Sequence, residues 1–395
     1  MDVDALVIGA GATGLGTAWD LALRGVRVAI ADMGGVVTGT SGRYHGLLHT
    51  GARYAVSDGG SAEECWAEHQ TIRRIAPTAV DDTGGLFVRT PSDDEAFVAQ
   101  WVDACARIGI PTEELGVAEA RRREPALSSA VRQVFAVPDA ACDSVALGAA
   151  LRASIEARGG AVLTYHRAVE LHGDGGRVAG ARLRDLRDDS EQDVDAAVTV
   201  IAAGPWSAEV AALAGVTYRM HLSRGAMIGF NGRWTSHIIN RLHWPGDGDI
   251  FIPLGAHGVA GTTSVSTTEP ADRRIEPWER ERIMDEICEV LPGLRHATVL
   301  REWAGVRPLF DPALEISDEA SAHVDGRKAA RTFEVLDHAD RDGVAGLFSI
   351  VGGKLTTYRL MGERTADAVC ATLGVDTPSA TATTPLESGG LTTAA

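Results

Sequence analysis

The chain is poor in cysteine and has no cysteine motif. Cys65, Cys105, Cys142, Cys288 and Cys370 stand singly, and no C-x-x-C pair occurs. This speaks against a disulfide framework, an iron–sulfur cluster or a zinc site, so no metal is expected and the thiols are expected to be reduced, several of them buried. No apolar run approaches the roughly 18 residues a membrane helix needs, and a strand pattern begins with the first residues. The expectation is therefore a cytoplasmic protein with no leader and no integral membrane segment. Positive charge is also in deficit: Lys plus Arg is 37 against 54 Asp plus Glu, a formal net charge of −17. That balance opposes nucleic acid or anionic lipid as a partner, while leaving room for local cationic pockets. With 395 residues, 45% of them hydrophobic, the chain is globular, can bury a large core and is long enough for two or three domains.

What is present is organised around residues 3–32. Ala5, Leu6, Val7 and Ile8 form an apolar run suited to a buried parallel strand, and Gly9, Gly11 and Gly14 follow as G-x-G-x-x-G. Gly9 permits a tight turn, Gly11 clears space for a pyrophosphate, and Gly14 lets the helix beginning near Ala12 pack close to the strand. The free N–H groups at that helix start face the anion. A second apolar run ends at Asp32, whose carboxylate suits a ribose diol. An adenine dinucleotide site is expected here; the motif does not separate NAD from FAD, which share the ADP half.

Residues 33–40 form a loop rich in Gly and Thr. Residues 41–54 then hold His45 and His49, Arg43 and Arg53, Tyr44 and Tyr54, with Gly42, Gly46 and Gly51 between them. The glycines allow backbone to approach a ligand, the arginines suit an anion, and the histidines can exchange protons. Helical spacing is read at 61–75, 93–108 and 143–158, with strands at 84–88, 134–137 and 161–163. A further buried strand at 197–203 runs into Gly204-Pro205-Trp206-Ser207. Residues 218–266 show short alternating runs, read as antiparallel sheet and as the substrate region, followed by a helix at 277–291. Arg307 is held between glycine and proline in Gly305-Val306-Arg307-Pro308-Leu309. Residues 313–328 read as a polar loop with Arg331 just beyond. An apolar strand from Leu347 then turns through Gly352-Gly353-Lys354 into a helix reaching about Leu373, a cation beside a helix start that favours negative charge on a reduced flavin. Residues 376–395, rich in Thr, Ser, Ala, Gly and Pro, are expected to be disordered.

The chain resembles the FAD-dependent glycerol-3-phosphate dehydrogenases, of the type of the catalytic A subunit of the anaerobic bacterial enzymes. The resemblance runs from about residue 4 to 373. It is carried by His45-Gly46-Leu47-Leu48-His49 with Gly51-Ala52-Arg53-Tyr54-Ala55-Val56, by Ala202-Ala203-Gly204-Pro205-Trp206, by Gly261-Thr262-Thr263, by Gly305-Val306-Arg307-Pro308-Leu309, by Leu336-Asp337-His338, and by Gly352-Gly353-Lys354-Leu355-Thr356-Thr357-Tyr358-Arg359. It implies an α/β fold of the D-amino-acid oxidase type: a Rossmann-like FAD-binding domain (1–85, 140–217 and 331–375) interrupted by an α+β substrate domain (86–139 and 218–330) with a mixed sheet. It also implies non-covalent FAD, held by Gly9, Gly11, Gly14, Asp32, Thr40, Ser41, His45, Gly46, Ala203, Gly204, Trp206, Gly352, Gly353, Lys354, Leu355 and Thr356.

Carried across by motif, Arg53, Tyr54 and Arg331 fall on the substrate's phosphate, and Arg307, His49 and Lys354 near its alcohol and the flavin. The implied reaction is oxidation of a secondary alcohol, its proton going to His49, with His45 in reserve, as hydride moves to flavin N5 and Arg307 stabilises the developing carbonyl. The substrate is expected to be sn-glycerol 3-phosphate or a related phosphorylated or phosphonate alcohol, and the electron acceptor oxygen, a quinone or a separate protein. The alternatives are oxidation of a 2-hydroxy acid or amine, or a flavin protein that only relays electrons. The anaerobic A subunits continue into a cysteine-rich C-terminal domain, and no counterpart of it is expected here. Three residues depart from the family pattern and are candidates to line the substrate pocket: Tyr44 for asparagine, Arg224 for lysine and Ala330 for serine.

Overall fold

The computed structural model describes residues 1–310 and 332–389. Its first sheet is built on Asp2–Ile8, which pairs in parallel with Val28–Asp32 on one side and with Glu191–Ile201 on the other. Ala161–Thr164 extends the sheet beyond Val28–Asp32, and Leu347–Gly352 joins Glu191–Ile201, again in parallel. The apolar run Ala5 to Ile8 reads as continuous because both of its faces are covered. Ala5 and Val7 face a core with Leu15, Trp19, Leu151 and Val369, from the helices Ala12–Leu23, Ser144–Ala157 and Tyr358–Leu373. Leu6 and Ile8 face the opposite core with Leu171, Leu183 and Ala211. The helices Ala12–Leu23 and Tyr358–Leu373 cross through two glycines: a Cβ on Gly362 would stand 2.5 Å from the Gly16 carbonyl carbon. That close crossing ties the first glycine turn to the turn at residues 352–354.

A second, mixed sheet draws its strands from residues 85–137 and 221–309. Among the described residues only Gly85–Arg89 beside Ile238–Arg241 is a parallel pair. The helix Pro277–Val290 covers one face, packing Ile283, Met284 and Ile287 on Ala226, Ile228, Phe230 and Ala260. Side-chain alternation along Val299–Leu309 therefore puts Arg301, Trp303, Gly305 and Arg307 on the other face. Three short strands, Leu47–Leu48, Val80–Asp81 and Ala140–Cys142, make a small third sheet.

Residues 376–389 are seated rather than disordered. The buried Asp20 accepts hydrogen bonds from Ser379 Oγ at 2.5 Å and Thr381 Oγ1 at 3.1 Å, and the Leu386 N–H donates to the Ile75 carbonyl at 2.8 Å. Leu386 packs on the first core. A hydroxyl-rich segment lacks an apolar signature of its own, yet its hydroxyls are what a buried carboxylate requires. Residues 313–328, read as a loop, together with Ala330 and Arg331, lie outside the described residues.

Candidate active site

The glycine turn has the shape the sequence required. Gly9 has φ of +115°, and a Cβ there would meet the Ala202 carbonyl oxygen at 2.4 Å; a Cβ on Gly14 would stand 1.9 Å from the Gly9 oxygen. Gly11 is the position before the helix Ala12–Leu23 and has no side chain of its own to cap it. Its nearest neighbour is Ser41 Oγ, which accepts the Ala12 N–H at 3.0 Å. Asp32 accepts the Ala10 N–H and the Gly34 N–H, each at 2.7 Å and on a different oxygen, which leaves lone pairs for a further donor. Burial pushes its carboxyl above the usual range, against those two backbone bonds.

These groups open into one cavity of about 570 Å³, within the size range of ligand sites. Gly9, Gly11, Asp32, Thr40, Ser41, Ala203, Gly204 and Trp206 line it, together with Gly352, Gly353, Lys354, Leu355 and Thr356. Thr40 Oγ1 donates to the Val306 carbonyl at 2.6 Å, fastening this loop to the second sheet. Gly14 and Gly46 act behind the lining. Gly14 sets helix-to-strand distance, and Gly46, at φ +95°, accepts the Cys142 N–H at 2.7 Å.

The same cavity is lined by Tyr44, His45, His49, Tyr54 and Arg307, with Lys354 near them. The His49 and Tyr54 rings meet edge to face at 5.3 Å, and Lys354 Nζ lies 5.6 Å from the centre of the Tyr54 ring. Lys354 is one of two lysines in the chain, the other being Lys328. His45 Nδ1 accepts the Leu47 N–H at 3.1 Å, so a neutral His45 carries its proton on Nε2. Arg307 is fixed on the sheet: Nη2 donates to Thr262 Oγ1 at 2.5 Å and to the Thr263 carbonyl at 3.2 Å, and Nη1 to Ser223 Oγ at 3.4 Å.

Two candidates fall elsewhere. Arg53 is outside the lining: its Nη2 is 2.7 Å from Asp249 Oδ1 and donates to the Gly246 carbonyl at 3.1 Å. Arg224 is buried against Glu279 at 2.5 Å and Asp272 at 3.4 Å, not in the cavity. Tyr44 does line it, donating to the Cys142 carbonyl at 2.5 Å, and burial raises its phenol well above the ordinary value. Sequence reasoning passed over Arg273, which also lines the cavity, and Gly225, which lies under Arg307. Arg273 stands beside a second arginine in a polar turn, and Gly225 faces Gly305 only once the strands are in register.

The model of the family described as FAD dependent oxidoreductase matches residues 4–368. The chain belongs to that family. Among curated relatives, the A subunit of the anaerobic glycerol-3-phosphate dehydrogenase of Escherichia coli K12 is 40% identical over 381 residues, covering 96% of this chain and 69% of the relative. The A1 subunit of the anaerobic glycerol-3-phosphate dehydrogenase of Haloferax volcanii is 39% identical over 390 residues, covering 96% and 66%. The chain thus spans about two thirds of the length of the curated relatives it matches. Among solved structures, the glycerol-3-phosphate dehydrogenase of Bacillus halodurans complexed with FAD gives a TM-score of 0.73 at 24% identity, over 98% of this chain and 68% of that one. Glycine oxidase from Geobacillus kaustophilus gives 0.75 at 20% identity, over 98% of both chains.

The expected fold and the family resemblance are both borne out, and the family's cofactor is FAD. The residues present fit it: a helix start preceded by glycine, glycines with no room for a Cβ, and an acid with lone pairs to spare. Gly352 and Gly353, at φ +81° and +76°, complete the cradle, since a Cβ on Gly353 would meet Met361 Sδ at 2.4 Å. No helix among the described residues is long and apolar enough to cross a membrane. Burial pushes the Cys65, Cys105 and Cys142 thiols up to about 12, leaving them inert.

Proposed function

We propose that the protein oxidises the secondary alcohol of sn-glycerol 3-phosphate, or of a closely related phosphorylated or phosphonate alcohol, to the ketone. One observation carries this reading: a single cavity joins the dinucleotide cradle to a group of His49, Tyr54, Lys354 and Arg307, in a chain with curated relatives that are glycerol-3-phosphate dehydrogenase subunits. Residues 1–85, 140–217 and 331–375 are assigned to FAD, and 86–139 and 218–330 to the substrate.

Bound FAD supplies the two-electron acceptor for the alcohol's C–H. His49 takes the hydroxyl proton. His45 is the poorer base, because its Nδ1 already accepts the Leu47 N–H and its Nε2 carries a proton when the ring is neutral. His45 is instead suited to donate a hydrogen bond. Arg307, held by three oxygen partners, presents a guanidinium of fixed direction to the alcohol oxygen and stabilises negative charge as the carbonyl forms. Lys354, poised on Tyr54, adds positive potential to the cavity wall.

The test is an anaerobic spectrum of the purified yellow holoprotein before and after sn-glycerol 3-phosphate, followed by a panel of phosphorylated and phosphonate alcohols, 2-hydroxy acids and amines. Bleaching by a phosphorylated or phosphonate alcohol is expected. Bleaching by hydroxy acids or amines alone, or by dithionite alone, overturns the reading. Reoxidation by oxygen, a quinone analogue and a dye then ranks the acceptors.

A further inference from the structure

The cavity contains more positive charge than an alcohol and a flavin require, and part of it has no ion-pair partner among the described residues. Arg43 and Arg273 both line it, and neither forms an ion pair among the described residues. The Arg43 Nε is buried with no hydrogen-bond partner among them. Arg43 lies directly on the active sheet face, since a Cβ on Gly305 would stand 3.1 Å from Arg43 Cβ and 2.9 Å from its carbonyl oxygen. Gly305 and Arg307 are same-face neighbours two residues apart, a step of about 7 Å along an antiparallel strand. One step in the opposite direction is Trp303, and beyond it Arg301, whose guanidinium stacks on the Trp303 ring at 4.3 Å. Arg43 thus stands between Arg307 and Arg301.

Arg273 approaches from a turn that is itself pinned. Asp272 accepts the Arg274 N–H at 3.0 Å, the Arg274 guanidinium at 2.9 and 3.0 Å, Thr267 Oγ1 at 3.0 Å and the buried Arg224 at 3.4 Å. Of two adjacent arginines, Arg274 is therefore neutralised, whereas Arg273 is presented to the cavity with no carboxylate partner among the described residues. Burial, and then the charges of Arg273 and Arg301, lower the Arg43 pKa. Like charges held together at a cavity are stabilised by an anion that bridges them. Arg53, the arginine that sequence reasoning gives to the phosphate, is spent on Asp249.

We propose that Arg43 and Arg273 are the specificity-determining pair that takes the substrate's terminal phosphate-type dianion, with Arg307 left for the alcohol oxygen. This rests on the function proposed above. The shared chemistry is a phosphate group, and the alternative source is the diphosphate of the cofactor.

The test uses Arg273→Gln and Arg43→Gln holoproteins in anaerobic rapid mixing. Arg273 is exposed, so its replacement leaves the fold intact even where Arg43→Gln does not. In Arg273→Gln the substrate concentration giving half-maximal flavin reduction should rise about tenfold or more, with the limiting rate changed less than about threefold. Inorganic phosphate, followed by its perturbation of the flavin spectrum, should bind the variant about tenfold more weakly than the wild type. An unchanged half-maximal concentration and unchanged phosphate binding overturn the proposal. So does a fall in FAD content with substrate affinity retained, which places the pair on the cofactor. If sn-glycerol 3-phosphate fails to bleach the wild type, the function reading falls alone, and the phosphate titration still decides the pair.

Discussion

Gly225 lies under the Arg307 guanidinium: a Cβ built there stands 2.5 Å from Nη2, 2.8 Å from Nη1 and 2.8 Å from the Thr263 carbonyl oxygen. The Thr263 oxygen is backbone and cannot swing aside, so an added methyl displaces the strand or the arginine. Gly225→Ala should slow flavin reduction by sn-glycerol 3-phosphate about tenfold or more, since small misplacements of a fixed charge are costly to a transition state. A reduction rate equal to wild type would mean that the position of Arg307 does not matter to the chemistry.

His49 and His45 separate by replacement. His49→Gln keeps a polar group but no base, and the limiting rate of anaerobic reduction should fall about 10²-fold or more. His45→Gln preserves an acceptor for the Leu47 N–H and a donor beyond it, and should cost about tenfold or less. A larger loss at His45 would reverse the assignment of the base.

Arg53 is predicted to matter more for stability than for substrate. Burial favours the neutral form of Asp249, but Arg53 and His243 outweigh it and hold the carboxyl at about 2. A carboxyl lowered in the fold adds stability that is present above its unfolded value near 3.8 and lost as pH falls toward 2. Arg53→Ala removes one partner of a pair whose side chains are 11% and 0% exposed, at a cost of about 3–5 kcal/mol. The urea midpoint should therefore drop sharply at pH 7. Normal stability with a large loss of substrate affinity would return Arg53 to the phosphate.

Features that are local in the chain are legible in the amino-acid sequence. The Gly9 turn, Asp32, and the strand and glycines ahead of Lys354 each announce themselves within a few residues, because backbone geometry and a strand's apolar run are short-range demands. Arg53 shows the opposite case. Its partner Asp249 is 196 residues away, so the sequence presents a cation with no visible reason to be spent. Gly225 and Gly305 acquire meaning only through the register of their strands. The seat of residues 376–389 depends on the buried Asp20, 359 positions before Ser379. Such pairings are set by topology, which hydrophobic periodicity does not encode.

Asp139 supplies a pH dependence of the opposite sign to Asp249. It is buried against Thr50, the residue after His49: Oδ1 accepts the Thr50 N–H and the Thr50 hydroxyl, both at 2.8 Å, and Oδ2 lies 3.4 Å from Asn240 Nδ2. Burial pushes its carboxyl up to about 6, and the Thr50 bonds only partly offset this. Between about pH 4 and 6 the folded chain therefore holds a proton that the unfolded chain has released. Stability falls as pH rises through that window, by on the order of 3 kcal/mol for a shift of about two units. Asn240 Oδ1 is buried without a partner among the described residues, so a donor at Oδ2 of residue 139 has an acceptor waiting once the amide is turned. Asp139→Asn supplies that donor at every pH. Its urea midpoint should match or fall below wild type at about pH 4.5 and exceed it at about pH 7.5, with the crossover between; a constant offset across that range would mean that Asp139 stays ionised in the fold.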